Sequence, residues 1–228
     1  WDLSFQYSKS DGDYTNDRVL QDALEYPFFR TGSCAGEITP ISGRECVDIQ
    51  WLDPNFLAGD IPREVEDYLY DVDTGNTEYT QWSIEGFMSG DIFEMPAGTA
   101  AMAVGFHYRE DEILDTPGAV VIAENAWQDD AAGITAGDDS TVAVFAEVDI
   151  PLLADKTLVH YLDFNASVRY TDVDSYGDDT TYKVGMNWAL TDEVRLRSTF
   201  GTSFRTPALY ELYLADQSSS ISARNADP

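Results

Sequence analysis

Apolar and polar residues alternate with period two through seven stretches of this chain. That alternation restricts the fold more than any other feature, because successive side chains of a β-strand point to opposite faces. Trp1, Leu3, Phe5 and Tyr7 form the first apolar row, and Trp82, Ile84, Met88 and Ile92 the second. Ala100–Tyr108, Val142–Ile150, Leu162–Tyr170, Tyr182–Leu190 and Val194–Phe204 follow in the same rhythm. Counting Gly86 and Gly90, no position in the apolar rows is charged, although 24% of the chain is Asp, Glu, Lys or Arg. A charge on the lipid face of a barrel costs about 2–4 kcal/mol at the bilayer midplane, so lipid would enforce such a pattern. A soluble sandwich also alternates, but its strands average about 5–6 residues, whereas these runs match the roughly 9–11 of a tilted membrane strand.

The connections point the same way. Residues 8–76 and 111–139 are long, 94–98 and 190–192 are short, and 151–160 is moderate. If 8–76 is extracellular and sides alternate, the long connections all fall outside, as in outer-membrane barrels. The hairpin at Ser175-Tyr176-Gly177-Asp178 is the short exception. In this orientation Tyr7, Trp82, Tyr108, Tyr170, Tyr182 and Phe204 lie at the outer strand ends, where aromatic rings prefer the headgroup boundary. Trp1 and Trp188 sit at the opposite ends. The fold class expected is therefore all-β, an antiparallel transmembrane β-barrel, of which this chain supplies about seven strands. A short helix is expected at 16–26, where Leu20, Ala23 and Leu24 recur at helical spacing. The chain starts at Trp1 and ends at Pro228 in a loop-like segment, and it is expected to be part of a longer protein.

Mean hydropathy is −0.29, and no apolar run approaches the length of a membrane helix. Formal net charge is −29, which excludes nucleic-acid binding through phosphates as a partner class. Residues 9–76 carry 15 acidic and 5 basic side chains, and 111–139 carry 8 acidic and none basic. Such acidic loops serve solubility or a saline habitat in the simpler reading, and attract cationic ligands in the sharper one. Cys34 and Cys46, in a loop rich in Gly, Pro and Asp, read as a disulfide in an oxidising compartment. Asp11-Gly-Asp13, Asp71-Val-Asp73-Thr-Gly75 and Asp172-Val-Asp174 match parts of calcium loops, but none has the full ligand run with its terminal Glu. No nucleophile elbow, phosphate loop or zinc spacing is present, so no catalytic, cofactor or metal residue is assigned and the chain is expected not to be an enzyme.

The stretch from Arg195 to Tyr213, with Phe204-Arg205-Thr206-Pro207 leading into Glu211-Leu212-Tyr213, resembles the strand-to-loop signature of TonB-dependent receptors. Ser89–Gly98 with Ala103–Glu110 is similar to that family's periplasmic turn and next strand. Phe145–Leu152 resembles a recurrent strand end, and the loop bearing Cys34 and Cys46 is similar to the two-cysteine outer loop of many members. The resemblance implies a barrel of about 22 strands plugged by an N-terminal domain, so that 1–228 is a partial barrel domain without plug, TonB box and C-terminal strands. It implies residence in the outer membrane of a Gram-negative bacterium. It also implies partnership with outer-membrane lipid, a TonB complex and a small-molecule ligand such as a ferric siderophore, cobalamin or oligosaccharide. The rivals are a passive porin, a soluble β-sandwich carbohydrate-binding module, and an outer-membrane hydrolase or adhesin, the hydrolase lacking a Ser/His/Asp-like constellation.

Within that frame, Glu85, Arg109, Glu147, Arg169, Arg195, Arg197 and Arg205 fall in the polar register and are expected to face the lumen. There the arginines would pair with Glu85, Glu147 or Asp163, or meet the plug. His107 joins them with a structural role. Trp51, Phe56, Tyr68, Tyr70 and Trp127 lie in the outer loops and could stack on a ligand or pack the loops together.

Overall fold

The computed structural model describes residues 1–128 and 132–216. Seven strands form one sheet in chain order: β1 Asp2–Val19, β2 Tyr70–Met95, β3 Gly98–Thr116, β4 Thr135–Lys156, β5 Val159–Val173, β6 Gly177–Ala189 and β7 Arg195–Gly201. Five short helices complete it: α1 Gln21–Phe28, α2 Pro54–Leu57, α3 Arg63–Leu69, α4 Ala119–Ile122 and α5 Leu209–Tyr213. The final loop-like stretch, 217–228, lies outside the described residues. Two compact units emerge among the described residues: Trp1–Lys9 with Tyr79–Glu112 and Gly137–Leu212 make a wall unit, and those of Ser10–Glu78, Ile113–Ala136 and 213–216 make a loop unit.

In the wall unit the antiparallel ladders line up the alternation of separate strands. Val144 faces Tyr170, Ala146 faces Val168, Val148 faces Ala166 and Ile150 faces Phe164. The rows continue through Ala166–Val184–Phe200 and Leu162–Trp188–Leu196. The opposite rows are polar: Glu147–Ser167–Lys183, Asp149–Asn165–Gly185–Thr199 and Asp163–Asn187–Arg197. A one-residue slip in any strand would move charge into the apolar face, so the pattern itself holds the register. The hairpin at 174–176 turns through Gly177 at φ 92°, a conformation that favours glycine. Ser175 donates its hydroxyl at 2.6 Å and its N–H at 3.1 Å to Asp139.

Several boundaries differ from those read in the sequence. Most strands are longer: β1 has 18 residues and β2 has 26, whereas the last, read as 194–204, spans only the 7 residues of β7 and leaves Phe204 beyond its end. The connections 8–76 and 111–139 shrink accordingly to 20–69 and 117–134, and β4 continues to Lys156, leaving a tight turn at 157–158. The added residues, such as Ser8–Arg18, are polar on both faces. Alternation reports a contrast between two environments, and a strand with water on both sides carries none. The expected helix begins later, at Gln21, because Leu20 is taken by a bridge to Ala126 and by an N–H bond to the Leu69 carbonyl (2.8 Å). The helical spacing of Leu20, Ala23 and Leu24 reflects burial all the same, since Leu20 and Ala23 are fully enclosed.

The aromatic rings also pair differently from the level read along the strands. Trp82 lies 4.9 Å from Tyr108 and 6.4 Å from Phe5 rather than Tyr7, and Tyr182 lies 6.2 Å from Phe200. Strands of a barrel are tilted, so residues at one height are offset from their lateral neighbours.

Glycine makes room where rings cross the wall. A Cβ on Gly105 would overlap the Phe145 ring and sit 2.7 Å from the Gly86 carbonyl oxygen. The ring can turn, but the strand backbone at Gly86 is held in its ladder. Gly105→Ala is therefore expected to destabilise the intact protein by about 1–3 kcal/mol through overpacking. The check is the temperature at which the folded band converts to the unfolded one on a heat-modifiability gel, which should fall.

Candidate functional site

The loop unit is built around a small apolar core of Leu20, Ala23, Ile49, Val65, Tyr68 and Leu69, closed by the Cys34–Cys46 disulfide. Its polar centre is Asp22, only 6% exposed. Asp22 and Asn125 are 103 residues apart and bond reciprocally: the Asp22 N–H donates to Asn125 Oδ1 (2.9 Å), and Asn125 Nδ2 donates to Asp22 Oδ1 (2.8 Å). Asp22 Oδ2 accepts the N–H groups of Ile41 (2.9 Å) and Ser42 (2.7 Å) and the Ser42 hydroxyl (3.0 Å). Burial pushes the Asp22 carboxyl up, but the Ser42, Asn125 and Ile41 donors together outweigh it and hold the group below its ordinary value.

Other acidic residues are spent in the same way. Asp73, buried, accepts the Val120 N–H at 2.8 Å. Asp48 accepts the Ser33 hydroxyl and the Cys34 N–H (2.8 Å), and these bonds lower its carboxyl. Arg30, donating at 2.6 Å, and the Tyr26 hydroxyl at 2.7 Å lower that of Glu37. Arg44 donates to the carbonyls of Asp67, Tyr68 and Tyr70 at 2.5–3.0 Å and pairs with Asp71 at 2.8 Å, closing the C-terminal end of α3. The three Asp-rich stretches lie mainly on strands. Asp11 and Asp13 lie on β1, where both accept from the Asn76 amide (2.9 and 2.8 Å). Asp71 and Asp73 lie on β2, and Asp172 on β5. Among the described residues no three potential ligands converge on a metal position.

What this scaffold presents is an aromatic edge beside a cleft. Phe29, Phe28, Trp51 and Phe56 follow one another edge to face, with centroids 5.2, 5.7 and 5.6 Å apart. Phe29 is 77% exposed, and Leu52 beside Trp51 is 87% exposed. Phe56 also lines a cleft of about 460 Å³ with Asp48, Asp53, Asn55, Asp60 and Glu64, within the size range of small-molecule sites. Asp53 caps α2 through the Asn55 and Phe56 N–H groups (2.8 and 3.4 Å), which fixes the angle at which Phe56 enters the cleft. Trp51 and Phe56 thus come together. Tyr68 does not join them: it is 3% exposed, its hydroxyl is 3.5 Å from Cys46 Sγ, and burial drives its phenol up to about 12. Its ring is consumed by the loop core. Trp127 stands apart, 41% exposed, with its backbone N–H on the Val19 carbonyl at 2.8 Å. Phe28 and Phe29 were missed in the sequence. Their signal was two adjacent aromatics after Pro27, at the end of a helix that cannot bury both.

In the wall unit, Glu147 stands opposite Ser167, Arg169 opposite Thr181, Arg195 opposite Ala189 and Arg197 opposite Asn187, all in the polar register. Glu85 lies on β2 in the polar frame of Gln81 and Ser83. The expected pairings are replaced by others. Asp163 accepts from Asn187 (2.9 Å). Arg109 Nε lies 2.7 Å from Asp111, off the N–H axis, while Tyr79 and Gln81 donate to the other oxygen of that carboxylate (2.7 and 2.6 Å). Arg169 donates to the Thr171 hydroxyl (3.3 Å) and lies 5.8 Å from the Phe145 ring centroid. Arg205 grips Glu211 at 3.1 and 3.2 Å, and Glu211 also accepts the Ala208 N–H at 2.8 Å. The Ala208 bond and then Arg205 lower the Glu211 carboxyl. This clasp gives the Phe-Arg-Thr-Pro…Glu-Leu-Tyr stretch a physical role, since it folds the chain back after β7.

An antiparallel sheet whose middle rows carry only uncharged residues on one face, from Val142–Ile150 across Leu162–Tyr170 to Tyr182–Trp188, with charged and polar residues on the other face, is the wall of a transmembrane β-barrel. The model of the family described as TonB dependent receptor-like, beta-barrel, matches residues 1–228. The chain belongs to this family, one of receptors rather than enzymes. It is also similar to the vitamin B12 transporter BtuB of Photobacterium profundum, 36% identical over 53 residues. That match covers 23% of this chain and 9% of the transporter, so the chain spans only a small part of this curated relative. No solved structure matches the chain.

Asp22 generates a pH prediction. Its folded-state value lies below its unfolded one, so its contribution is fully present above the unfolded value near 4 and is lost as pH falls through the folded value. Protection factors of the 20–49 amides, each referred to the intrinsic exchange rate at its pH, should therefore fall below pH 4. Asp22→Asn turns an NH₂ toward the Ile41 and Ser42 donors and should cost about 1–3 kcal/mol, seen as faster exchange of the same amides at pH 7.

Proposed function

We propose that this chain is part of an outer-membrane receptor of a Gram-negative bacterium. The receptor captures a scarce nutrient at its outer loops and passes it through the barrel under the drive of a TonB complex. The observation that carries this reading is the family match along the whole chain, made on a sheet whose two faces are divided between apolar and polar rows. In the reading, residues 1–228 supply about seven wall strands, and the long connections are extracellular. Plug, TonB-contact segment and closing strands lie elsewhere in the longer protein. The polar register of Glu85, Arg109, Glu147, Arg169, Arg195, Arg197 and Arg205 faces the lumen and the plug.

The ligand belongs to the ferric siderophore, cobalamin or oligosaccharide class. The aromatic edge of Phe28, Phe29, Trp51 and Phe56 supports that range, since each class offers a flat or apolar surface to stack beside polar groups. The local likeness to a vitamin B12 transporter favours cobalamin as the first ligand to try.

The test is uptake of labelled cobalamin, ferric siderophores and maltooligosaccharides by cells carrying the full-length gene, with and without TonB. At least one label should accumulate, and the accumulation should vanish in the TonB-deficient strain. Uptake that persists without TonB would replace the receptor with a passive porin. For the ligand so found, the double variant Trp51→Ala, Phe56→Ala is expected to weaken binding at least about tenfold, as removal of buried aromatic anchors does. Its heat-modifiable band should stay unchanged. Full affinity in that variant would move the contact site elsewhere on the loops.

A further inference from the structure

The wall unit contains a recess of about 350 Å³ on the polar side of β3–β6, closed by the segment after β7. Its lining includes His107, Arg109, Thr141, Arg169, Thr171 and Thr181, with Ser203 and Thr206 at the rim. Among the described residues that line it, none is acidic, in a chain where 42 acidic residues face 13 basic ones. Two guanidinium groups, an imidazole and five hydroxyls thus gather where the chain's average composition would place carboxylates.

The partners of these groups leave positive charge over. Arg109 is offset by Asp111, which is itself held by Tyr79 and Gln81. Arg169 is braced by the Thr171 hydroxyl and by the Phe145 ring, neither of which carries charge. Gly105 lets the Phe145 ring lie where it does, so the position of Arg169 is prepared by the wall rather than by a counter-ion. His107 Nδ1 is enclosed and makes no hydrogen bond, which leaves a ring nitrogen next to the recess to be satisfied. A guanidinium supported on one side and flanked by hydroxyl donors matches the planar, multidentate geometry of a carboxylate or phosphate.

We propose that this recess is an oxyanion-binding site centred on Arg169, with His107, Thr171 and Thr181 as further donors, taking a carboxylate or a phosphate group. The anion has two possible sources, a ligand in transit or an acidic side chain from the region preceding Trp1. The proposal rests on the reading of the polar face as the lumen, but not on TonB coupling.

The test uses the full-length protein in detergent, with citrate and inorganic phosphate as probes in equilibrium dialysis. A free-anion site predicts saturable binding of one of them, weakened at least tenfold in Arg169→Gln and recovered in part in Arg169→Lys. A protein-borne anion predicts no probe binding. It also predicts that carbodiimide treatment of Arg169→Lys gives a zero-length link from Lys to an Asp or Glu preceding Trp1, located by peptide mass spectrometry. Heat-modifiability confirms that each variant is folded. Either result supports the site. Probe binding indifferent to Arg169→Gln, a link to a carboxylate within residues 1–228, or neither binding nor link would overturn it. Because dialysis and cross-linking need no energised cell, failure here with intact TonB-dependent uptake removes only this inference. TonB-independent uptake with intact anion binding removes only the transport reading.

Discussion

Hydrocarbon offers no hydrogen-bond partners, so every backbone N–H and C=O that enters it must be bonded within the protein. The seven-stranded ladder answers that constraint, and the rest of the structure follows from it. Once β4–β7 are paired, period-two alternation places Ile150, Phe164 and Met186 on one face and Asp149, Asn165 and Gly185 on the other. The lipid face then forbids charge, and the aqueous face becomes the only place for it. Arg109, Arg169 and Arg197 are where they are because the ladder leaves them nowhere else.

The loop unit meets a different problem. Its segments come from distant parts of the chain and have little apolar surface to bury, so buried polar pairs do the joining. Asp22 with Asn125, and Asp73 with the Val120 N–H, tie residues near the start of the chain to the segment after β3. A buried carboxylate is tolerable only when its lone pairs are filled, and Asp22 accepts four hydrogen bonds. The acidity of these loops is therefore partly structural: the charges that hold the fold are those surrounded by donors, while Asp60 and Glu64 stand exposed at the cleft. Rigid loops in turn give the exposed aromatics a defined edge, which lowers the entropy lost when a ligand stacks on them.

How much of this was legible in the sequence differs from element to element, for stated physical reasons. The membrane-facing stretches of the strands were legible because lipid and water impose opposite chemistry on neighbouring residues. The extensions at Ser8–Arg18 and Tyr70–Thr80 were not, because they carry polar residues on both faces, and even the buried Asp73 is held by a hydrogen bond rather than by apolar contact. The clasp of Arg205 with Glu211 lies within a single local motif and left a recognisable pattern. The reciprocal pair of Asp22 and Asn125 left none, since 103 residues separate its members and each alone looks like an ordinary loop residue.

By itself the sequence determined the strand faces and the family, because these depend on nearest-neighbour alternation and local motifs. Only the tertiary structure decided that Tyr68 is core while Trp51 and Phe56 share an edge with Phe28 and Phe29. It also decided that Arg109 is offset by Asp111 while Arg169 rests on Phe145. These outcomes depend on which distant segments meet. That is set by loop closure and packing in three dimensions, for which composition and spacing along one chain hold no local signal.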